Sequence, residues 1–352
     1  MTASSSVLVR PSDVNAASPL TLGAAPSSVL ATNGSVNFGK YVGKLGQIDW
    51  RGLAAPHKRS WLWQHFHHKQ WQYVALATAD IFCGIAIVDV GWTNTAFAYV
   101  FDRRERRILA SFSQDGLPGL SASLNTHPAD GASSSFRFLK NHIDYRHLAA
   151  SQSYQLALEC GDFAIDASFD AQAAAPFLSA IGQVAGGSVH ATLKSSGLPL
   201  RGSVHIKGRE FDLSGGIASF DHSNGFLARE TEWRWASAHN LELGFNLQAG
   251  YFGNNENALW LDGQLISLGA AQFEFDPAQP LLPWHIYTED GLLDLEFQPE
   301  GCRSENKNLL IAASRYVQPI GTFSGWVKAS KDAPVRKIAN LVGVTEDHFS
   351  RW

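Results

Sequence analysis

The chain has few cysteines and no apolar run long enough to cross a membrane. Cys83, Cys160 and Cys302 are widely separated, and no Cys-x-x-Cys pair provides the spacing of a zinc or thioredoxin-like site. We interpret them as reduced, buried residues of a cytoplasmic protein. The apolar run at residues 81–88 is far shorter than the ~20 residues that a membrane helix needs. The sequence therefore predicts no transmembrane segment.

Charge is also sparse, and its two signs are balanced. The formal net charge is −4 and neither sign forms a long run, which argues against a nucleic-acid partner or a charged membrane surface. Charged residues make up 17% of the chain, below the usual quarter, whereas tryptophan occurs 11 times. This composition is typical of a β-rich protein with aromatic interior walls.

Helical periodicity is scarce. Only residues 174–184 and the stretch around 335–341 suggest short helices. From residue 61 onward the apolar pattern has a period of two, and turn signals such as Asp115-Gly116 and Asp262-Gly263 interrupt it at short intervals. Many short antiparallel strands with glycine-rich corners predict an all-β fold. At a length of 352 residues, two barrels or sandwiches are expected.

The predicted domains follow from these patterns. Residues 1–36 are rich in small polar residues and lack the basic start and apolar stretch of a secretory signal, so we predict an extended or flexible arm. We place the first β-barrel at residues 37–200 and the second at residues 201–352.

The most informative stretch is Asp-His-Ser-Asn-Gly at residues 221–225, followed by Trp233-Arg234-Trp235. We place Asp221 and His222 on a turn and both indoles on one face of the next strand. A carboxyl group beside indole rings is desolvated, which raises its pKa and lets it act as an acid. Asp221 and His222 are therefore catalytic candidates, with Trp233 and Trp235 as a ligand-binding wall. The alternative is that Asp221 organises its turn and the tryptophans only pack.

A second aromatic face is predicted over residues 61–73. If this segment is a strand, His65, His67, Trp71 and Tyr73 share one face, and we assign these four residues to ligand binding. The His-x-His spacing also suits zinc, but Lys69 on the same face would repel a cation and no third ligand is identifiable. We therefore predict no metal site and interpret the histidines as polar edges of an aromatic wall.

Several motifs together resemble a known family. The Asp-His-x-x-Gly and Trp-x-Trp motifs, Trp260-x-Asp262-Gly263 and the final stretch, residues 342–352, resemble the domain-of-unknown-function 2804 family from about residue 39 onward. The first two motifs are also similar, more distantly, to the AttH and carotenoid-hydratase (hydroxyneurosporene synthase) group. Arg234 stands where that group usually has an acid between the tryptophans.

The more distant resemblance implies a fold and a chemistry. Its members are built from two lipocalin-like barrels, so it implies an all-β, calycin-type double barrel with few short helices and an apolar ligand cavity. It also implies relatives that hydrate or cyclise terpenoid-like substrates without a cofactor. Carried over to this sequence, it points to Asp221, His222, Trp233 and Trp235.

Two functions remain open at this point. The first is the binding of an apolar or amphipathic small molecule in an aromatic-lined barrel cavity. The second is a cofactor-independent lyase, hydratase, isomerase or cyclase that acts on a terpenoid- or lipid-like substrate with Asp221 as the general acid. Fold alone does not decide between them. The most informative observation is whether the Asp221 carboxyl points into an enclosed pocket or toward its own turn.

Overall fold

Strands account for most of the chain. The computed structural model describes residues 22–309 and 312–352, and it is 61% strand and 2% helix. The prediction of an all-β fold is confirmed. Residues 1–21 of the predicted N-terminal arm lie outside the described residues. No helix in the described part of the chain is long and apolar enough to cross a membrane.

The first sheet has 16 strands. They are β1 (Gly23–Ala24), β2 (Gly39–Val42), β3 (His68–Ala77), β4 (Ile81–Asp89), β5 (Asn94–Asp102), β6 (Arg107–Gly116), β7 (Ala122–Leu124), β8 (Ser133–Phe138), β9 (Asn141–Leu148), β10 (Ser153–Cys160), β11 (Phe163–Asp170), β12 (Leu178–Gln183), β13 (Val189–Lys194), β14 (Leu198–Ile206), β15 (Arg209–Asp212) and β16 (Ile217–Phe226). A single short helix in the described residues, α1 (Trp61–His67), precedes β3.

The second sheet has nine strands. They are β17 (Glu230–His239), β18 (Leu243–Gly250), β19 (Ala258–Leu261), β20 (Gln264–Ser267), β21 (Ala271–Glu274), β22 (Trp284–Thr288), β23 (Leu293–Leu309), β24 (Ala312–Val327) and β25 (Arg336–Arg351). The chain passes from one sheet to the other between Phe226 and Glu230, later than the domain boundary predicted at residue 200.

Two adjacent strands of the chain are central to the two sheets. In the first sheet, β16 pairs with β3 along one edge and with β13 and β14 along the other. In the second sheet, β17 pairs with β18 and β25. The predicted acid on β16 and the predicted tryptophans on β17 therefore lie on paired, interior strands.

Each sheet buries a core of its own on one face. Residues such as Val74 and Ile85 belong to the core of the first sheet, and residues such as Phe245 and Leu295 belong to that of the second. Neighbouring residues on a strand point to opposite faces. Alternate residues of these strands therefore form a separate apolar cluster between the sheets, which includes Tyr73, Ala86, Trp235 and Val344.

One predicted strand and two predicted helices are wrong. Residues 61–67 form α1 rather than a strand, because Ser60 caps the helix and Trp63 stacks on His67, four residues on, at a centroid distance of 3.9 Å. The helices predicted at residues 174–184 and 335–341 are also absent. The first segment contains β12, and the second contains the start of β25. Pairing with neighbouring strands outweighs their weak helical propensity.

The Asp-His-Ser-Asn-Gly motif lies inside β16 rather than on a turn. Lys194 on β13 and Tyr73 on β3 stand opposite Asp221 in the two ladders. Gly225 allows β13 to approach, because a Cβ atom there would lie 2.5 Å from the Cα atom of His190. The interpretation of Asp221 as a turn-organising residue is therefore wrong.

Candidate functional site

A cavity of about 120 Å³ lies between the two sheets, with walls from both. Sequence analysis placed an aromatic cavity inside a barrel, but apolar side chains fill the core that each sheet covers. The cavity instead occupies the interface, where the faces opposite the two cores meet. Its volume is enough for several water molecules or for part of a small organic molecule.

Aromatic rings form most of its wall. The rings of Trp71 and Trp233 are nearly parallel, with a centroid distance of 6.5 Å. Tyr73 meets Trp235 edge to face at 5.6 Å. The Trp235 Nε1–H donates to Oδ1 of Asn246 at 2.8 Å, so the polar edge of this buried indole is satisfied. The four aromatic residues predicted to bind a ligand, from β3 and β17, thus line one cavity.

A buried ion cluster forms the polar side of the cavity. Lys194 Nζ lies 3.1 Å from Asp221 Oδ2 and 3.3 Å from Glu256 Oε2. The exposed fractions of these three residues are 5%, 6% and 3%, so water screens their charges poorly. The ladder between β13 and β16 places Lys194 directly opposite Asp221. Glu256 comes from the loop after β18.

Burial sets the protonation of this cluster. It raises the pKa of both Asp221 and Glu256, although the Lys194 ammonium opposes the shift. Burial also disfavours the charged form of Lys194, but the two carboxyls outweigh it and raise its pKa. Burial thus favours the protonated form of both carboxyls, whereas the Lys194 ammonium favours their ionised form.

Asp221 presents this chemistry to the cavity. Its Oδ1 atom is buried without a hydrogen-bond partner, and the residue lines the cavity. Such an orphaned buried oxygen is costly unless a ligand or a bound proton compensates it.

A second polar group faces the cavity from β25. Glu346 accepts hydrogen bonds from Trp233 Nε1–H at 2.8 Å and from Gln318 Nε2–H at 2.9 Å. The Nδ1 atom of His348 lies 3.1 Å from Glu346 Oε1. A carboxylate in this position orients an imidazole and leaves its other nitrogen as the basic atom. Here that nitrogen, Nε2, lies 2.8 Å from the hydroxyl of Ser350.

The side-chain amide of Gln248 is another polar group of the wall without a hydrogen-bond partner. Gln248 is 1% exposed, and neither its Nε2 nor its Oε1 atom makes a hydrogen bond. Because a buried primary amide without partners is destabilising, a polar atom of a bound molecule would compensate it. The cavity thus combines aromatic walls with a few convergent polar groups, as small-molecule sites do.

Three predicted site residues lie elsewhere. His222 points to the opposite face of β16 from Asp221, with Nδ1 3.2 Å from Gln72 Oε1, and burial lowers its pKa to about 4. His65 and His67 are on α1, and neither lines the cavity. Within residues 22–309 and 312–352, no group of three or more histidine, cysteine, aspartate or glutamate side chains is arranged to hold a metal ion.

Sequence reasoning did not single out Lys194, Glu256, Glu346 or His348. A signal existed for two of them, since Glu346 and His348 alternate within the C-terminal motif and so share one strand face. Their ladder partners on β17 are Trp235 and Trp233. No local pattern marks Lys194 or Glu256.

Trp235→Ala tests whether the aromatic wall is packed. Trp235 is 7% exposed, so we expect the truncation to lower the free energy of unfolding by ~3–5 kcal/mol in urea denaturation. Trp61→Ala is the matched control, because Trp61 is 77% exposed on α1 and should cost less than ~0.5 kcal/mol. Equal stability of the two variants would contradict the packing of the wall.

Comparison with known proteins places the chain in a family. The family described as Domain of unknown function (DUF2804) matches residues 23–352. The chain belongs to the DUF2804 family. A search of curated proteins finds no significant match.

Solved structures show which fold this DUF2804 member has. Kievitone hydratase from Nectria haematococca is 10% identical, with a TM-score of 0.52 over 85% of this chain and 94% of that one. CghA with Sch210972 is 9% identical, with a TM-score of 0.57 over 93% of this chain and 97% of that one. An AttH-like protein from Nitrosomonas europaea is 11% identical, with a TM-score of 0.49 over 84% of this chain and 96% of that one. The two neighbours with TM-scores above 0.5 show that this chain shares their fold.

Proposed function

We propose that this DUF2804 protein is a cofactor-independent enzyme of the hydratase or cyclase type, with Asp221 as its proton donor. The substrate is a small, mainly apolar molecule held between the two sheets, which we interpret as two lipocalin-like barrels. The observation that carries the proposal is the buried Asp221 carboxyl, whose Oδ1 atom is unpartnered in an aromatic-walled cavity and whose pKa burial raises.

The proposed reaction begins with proton transfer. The proton on Asp221 forms a C–H bond with an alkene carbon of the substrate, and the neighbouring carbon becomes cationic. The faces of Trp71 and Trp233 stabilise this cation by about 0.5–2 kcal/mol per contact. The carboxylate left on Asp221 is stabilised by Lys194 Nζ at 3.1 Å.

The cation is then captured. In a hydration, water adds to the cationic carbon and gives its proton to His348, which Glu346 orients. In a cyclisation, a second double bond of the substrate adds instead, and a neighbouring carbon gives its proton to His348. In both cases His348 releases its proton to solvent and Asp221 takes one up, which restores the two groups. The neighbour named kievitone hydratase has the same fold, which is consistent with the first route.

Binding without turnover is the second candidate function. The observation in its favour is the ion pair with Lys194, which opposes protonation of Asp221 and would make the cluster structural. In that case the cavity would hold an apolar molecule without changing it.

Deuterium incorporation distinguishes the two functions. We would incubate the purified protein in heavy water with terpenoid- and lipid-like alkenes that quench its tryptophan fluorescence, and analyse the products by mass spectrometry. Enzyme-dependent deuterium on carbon is the expected result. Bound compounds that are recovered without deuterium would support the binding function and contradict the catalytic one.

A further inference from the structure

A second cavity of about 230 Å³ adjoins the first. The two share part of their lining, which comprises Val88, Phe97, Tyr316, His348 and Trp352. We call the cavity beside Asp221 the inner cavity and its neighbour the outer cavity. The inner cavity holds the buried acid, whereas the charged groups of the outer cavity include a row on β23. A molecule that occupies both would have chemically different ends.

Arg303 is the principal charged group of the outer cavity. It is 7% exposed, and its guanidinium carbon lies 4.2 Å from the centroid of Phe97 and 5.1 Å from that of Tyr316. Its NH2 group donates to Glu305 Oε2 at 3.0 Å. A guanidinium carries five N–H donors in a fixed fork. One carboxylate contact leaves most of these donors for a ligand.

The charged side chains that line the outer cavity do not sum to zero charge. Lys307 Nζ contacts both Asp115 and Glu305, at 3.1 and 2.9 Å. Arg351 also lines the cavity, and its Nε atom is buried without a hydrogen-bond partner. Three cations against two carboxylates leave one positive charge in excess among the lining residues. A buried guanidinium N–H without a partner is best compensated by an anion.

We infer that the natural ligand is an amphipathic anion, with its apolar body in the inner cavity and a carboxylate or similar group bound to Arg303 in the outer cavity. This inference rests on the proposed function, because it assigns the substrate class of the same site. It excludes neutral hydrocarbons as preferred ligands. His348, in the wall common to both cavities, lies where the two parts of such a molecule would join.

Two fluorescent dyes with the same ring system test the inference. Anilinonaphthalene sulfonate carries one negative charge, whereas N-phenylnaphthylamine has the same aromatic body and no charge. We expect the wild-type protein to bind the sulfonate more tightly than the neutral dye. Arg303→Gln should weaken sulfonate binding about tenfold to hundredfold, the usual effect of a charged hydrogen bond, and leave neutral-dye binding unchanged. Fluorescence titration measures both affinities.

A second variant, which should strengthen sulfonate binding, tests the inference even if Arg303→Gln does not fold. Glu305→Gln removes a carboxylate that competes for the Arg303 guanidinium, so sulfonate binding should become tighter. Arg336→Gln is the control, since Arg336 pairs with Glu242 at 3.2 Å and lines neither cavity. It should change neither affinity.

The outcomes separate this inference from the proposed function. Equal wild-type affinities for the two dyes, or no change in sulfonate binding with Glu305→Gln, would overturn the inference while the inner site stood. A protein that binds neither dye would contradict both. Selective loss of sulfonate binding in Arg303→Gln, with the neutral dye still bound, would support the anionic ligand.

Discussion

Asp221→Asn should leave the protein folded and lower turnover about 10²–10⁴-fold, the usual contribution of acid–base catalysis. Asparagine has nearly the same shape as aspartate and can accept a hydrogen bond from Lys194, but it has no titratable proton. Lys194 keeps Glu256 as a partner at 3.3 Å, so the buried charges remain paired in the variant. The loss should therefore appear in the rate rather than in stability.

The pH profile gives an independent readout of the same group. Because burial raises the pKa of Asp221, the wild-type rate should fall as the pH rises through that value and the acid loses its proton. The residual activity of Asp221→Asn should lack this fall. Asp294→Asn is the control, since Asp294 is on the exposed face of β23 with His285 at 2.9 Å. Unchanged turnover in a folded Asp221→Asn protein would remove Asp221 from the mechanism.

Steep loss of stability in mild acid is the second large effect that we expect. Burial lowers the pKa of His190, His222 and His239 to about 3, 4 and 3. Their unfolded-state pKa is about 6.5, so below that pH the unfolded chain binds protons that the folded protein does not. The stability that these three neutral imidazoles confer is complete above pH ~6.5 and is lost as the pH falls towards ~4. Three such groups contribute about 4 kcal/mol per pH unit.

The buried carboxyls oppose part of this loss. The pKa values of Asp221 and Glu256 are raised on folding, so these two groups bind protons more readily in the folded state and stabilise it as the pH falls. Their effect applies only between their unfolded and folded pKa values. The free energy of unfolding should therefore still fall as the pH falls, but somewhat less steeply than the histidines alone would make it.

Urea unfolding between about pH 7 and pH 5 measures this slope. His222→Gln should make the dependence shallower, because one buried imidazole no longer titrates. His205→Gln should not change it, since His205 lies on the exposed face of β14 beside Ser203 at 3.0 Å. A stability that is constant over this range would show that the three imidazoles are not buried in the neutral form.

Local sequence patterns predicted the parts of the site that depend on alternation along one strand. Trp233 and Trp235 share a face of β17, and Trp71 and Tyr73 share a face of β3, because side chains two residues apart on a strand point the same way. The position of Lys194 opposite Asp221 depends instead on the register between β13 and β16, which are separated by two other strands in the sequence. Register is set by the packing of whole strands, so no local motif reports it.

The errors at residues 61–67 and 221–225 have opposite causes. In the first case a local helical signal existed, namely the Ser60 cap and the spacing of Trp63 and His67, but the alternating aromatics suggested a strand. In the second case the turn-like composition of residues 221–225 was misleading, because β13 and β3 pair with both edges of this segment. Long-range pairing decides the structure there.

The position of the cavity between the sheets also bears on how the chain folds. Tyr73, Ala86 and Phe97 form an apolar wall of the native site, and residues of the second sheet such as Trp235 and Val344 pack in the same cluster. A chain in which the first sheet has formed before β17 and β25 dock would present this wall to water. Exposed apolar surface makes partly folded intermediates prone to aggregation. The surface that we propose binds the ligand is thus the surface through which incompletely folded chains would associate.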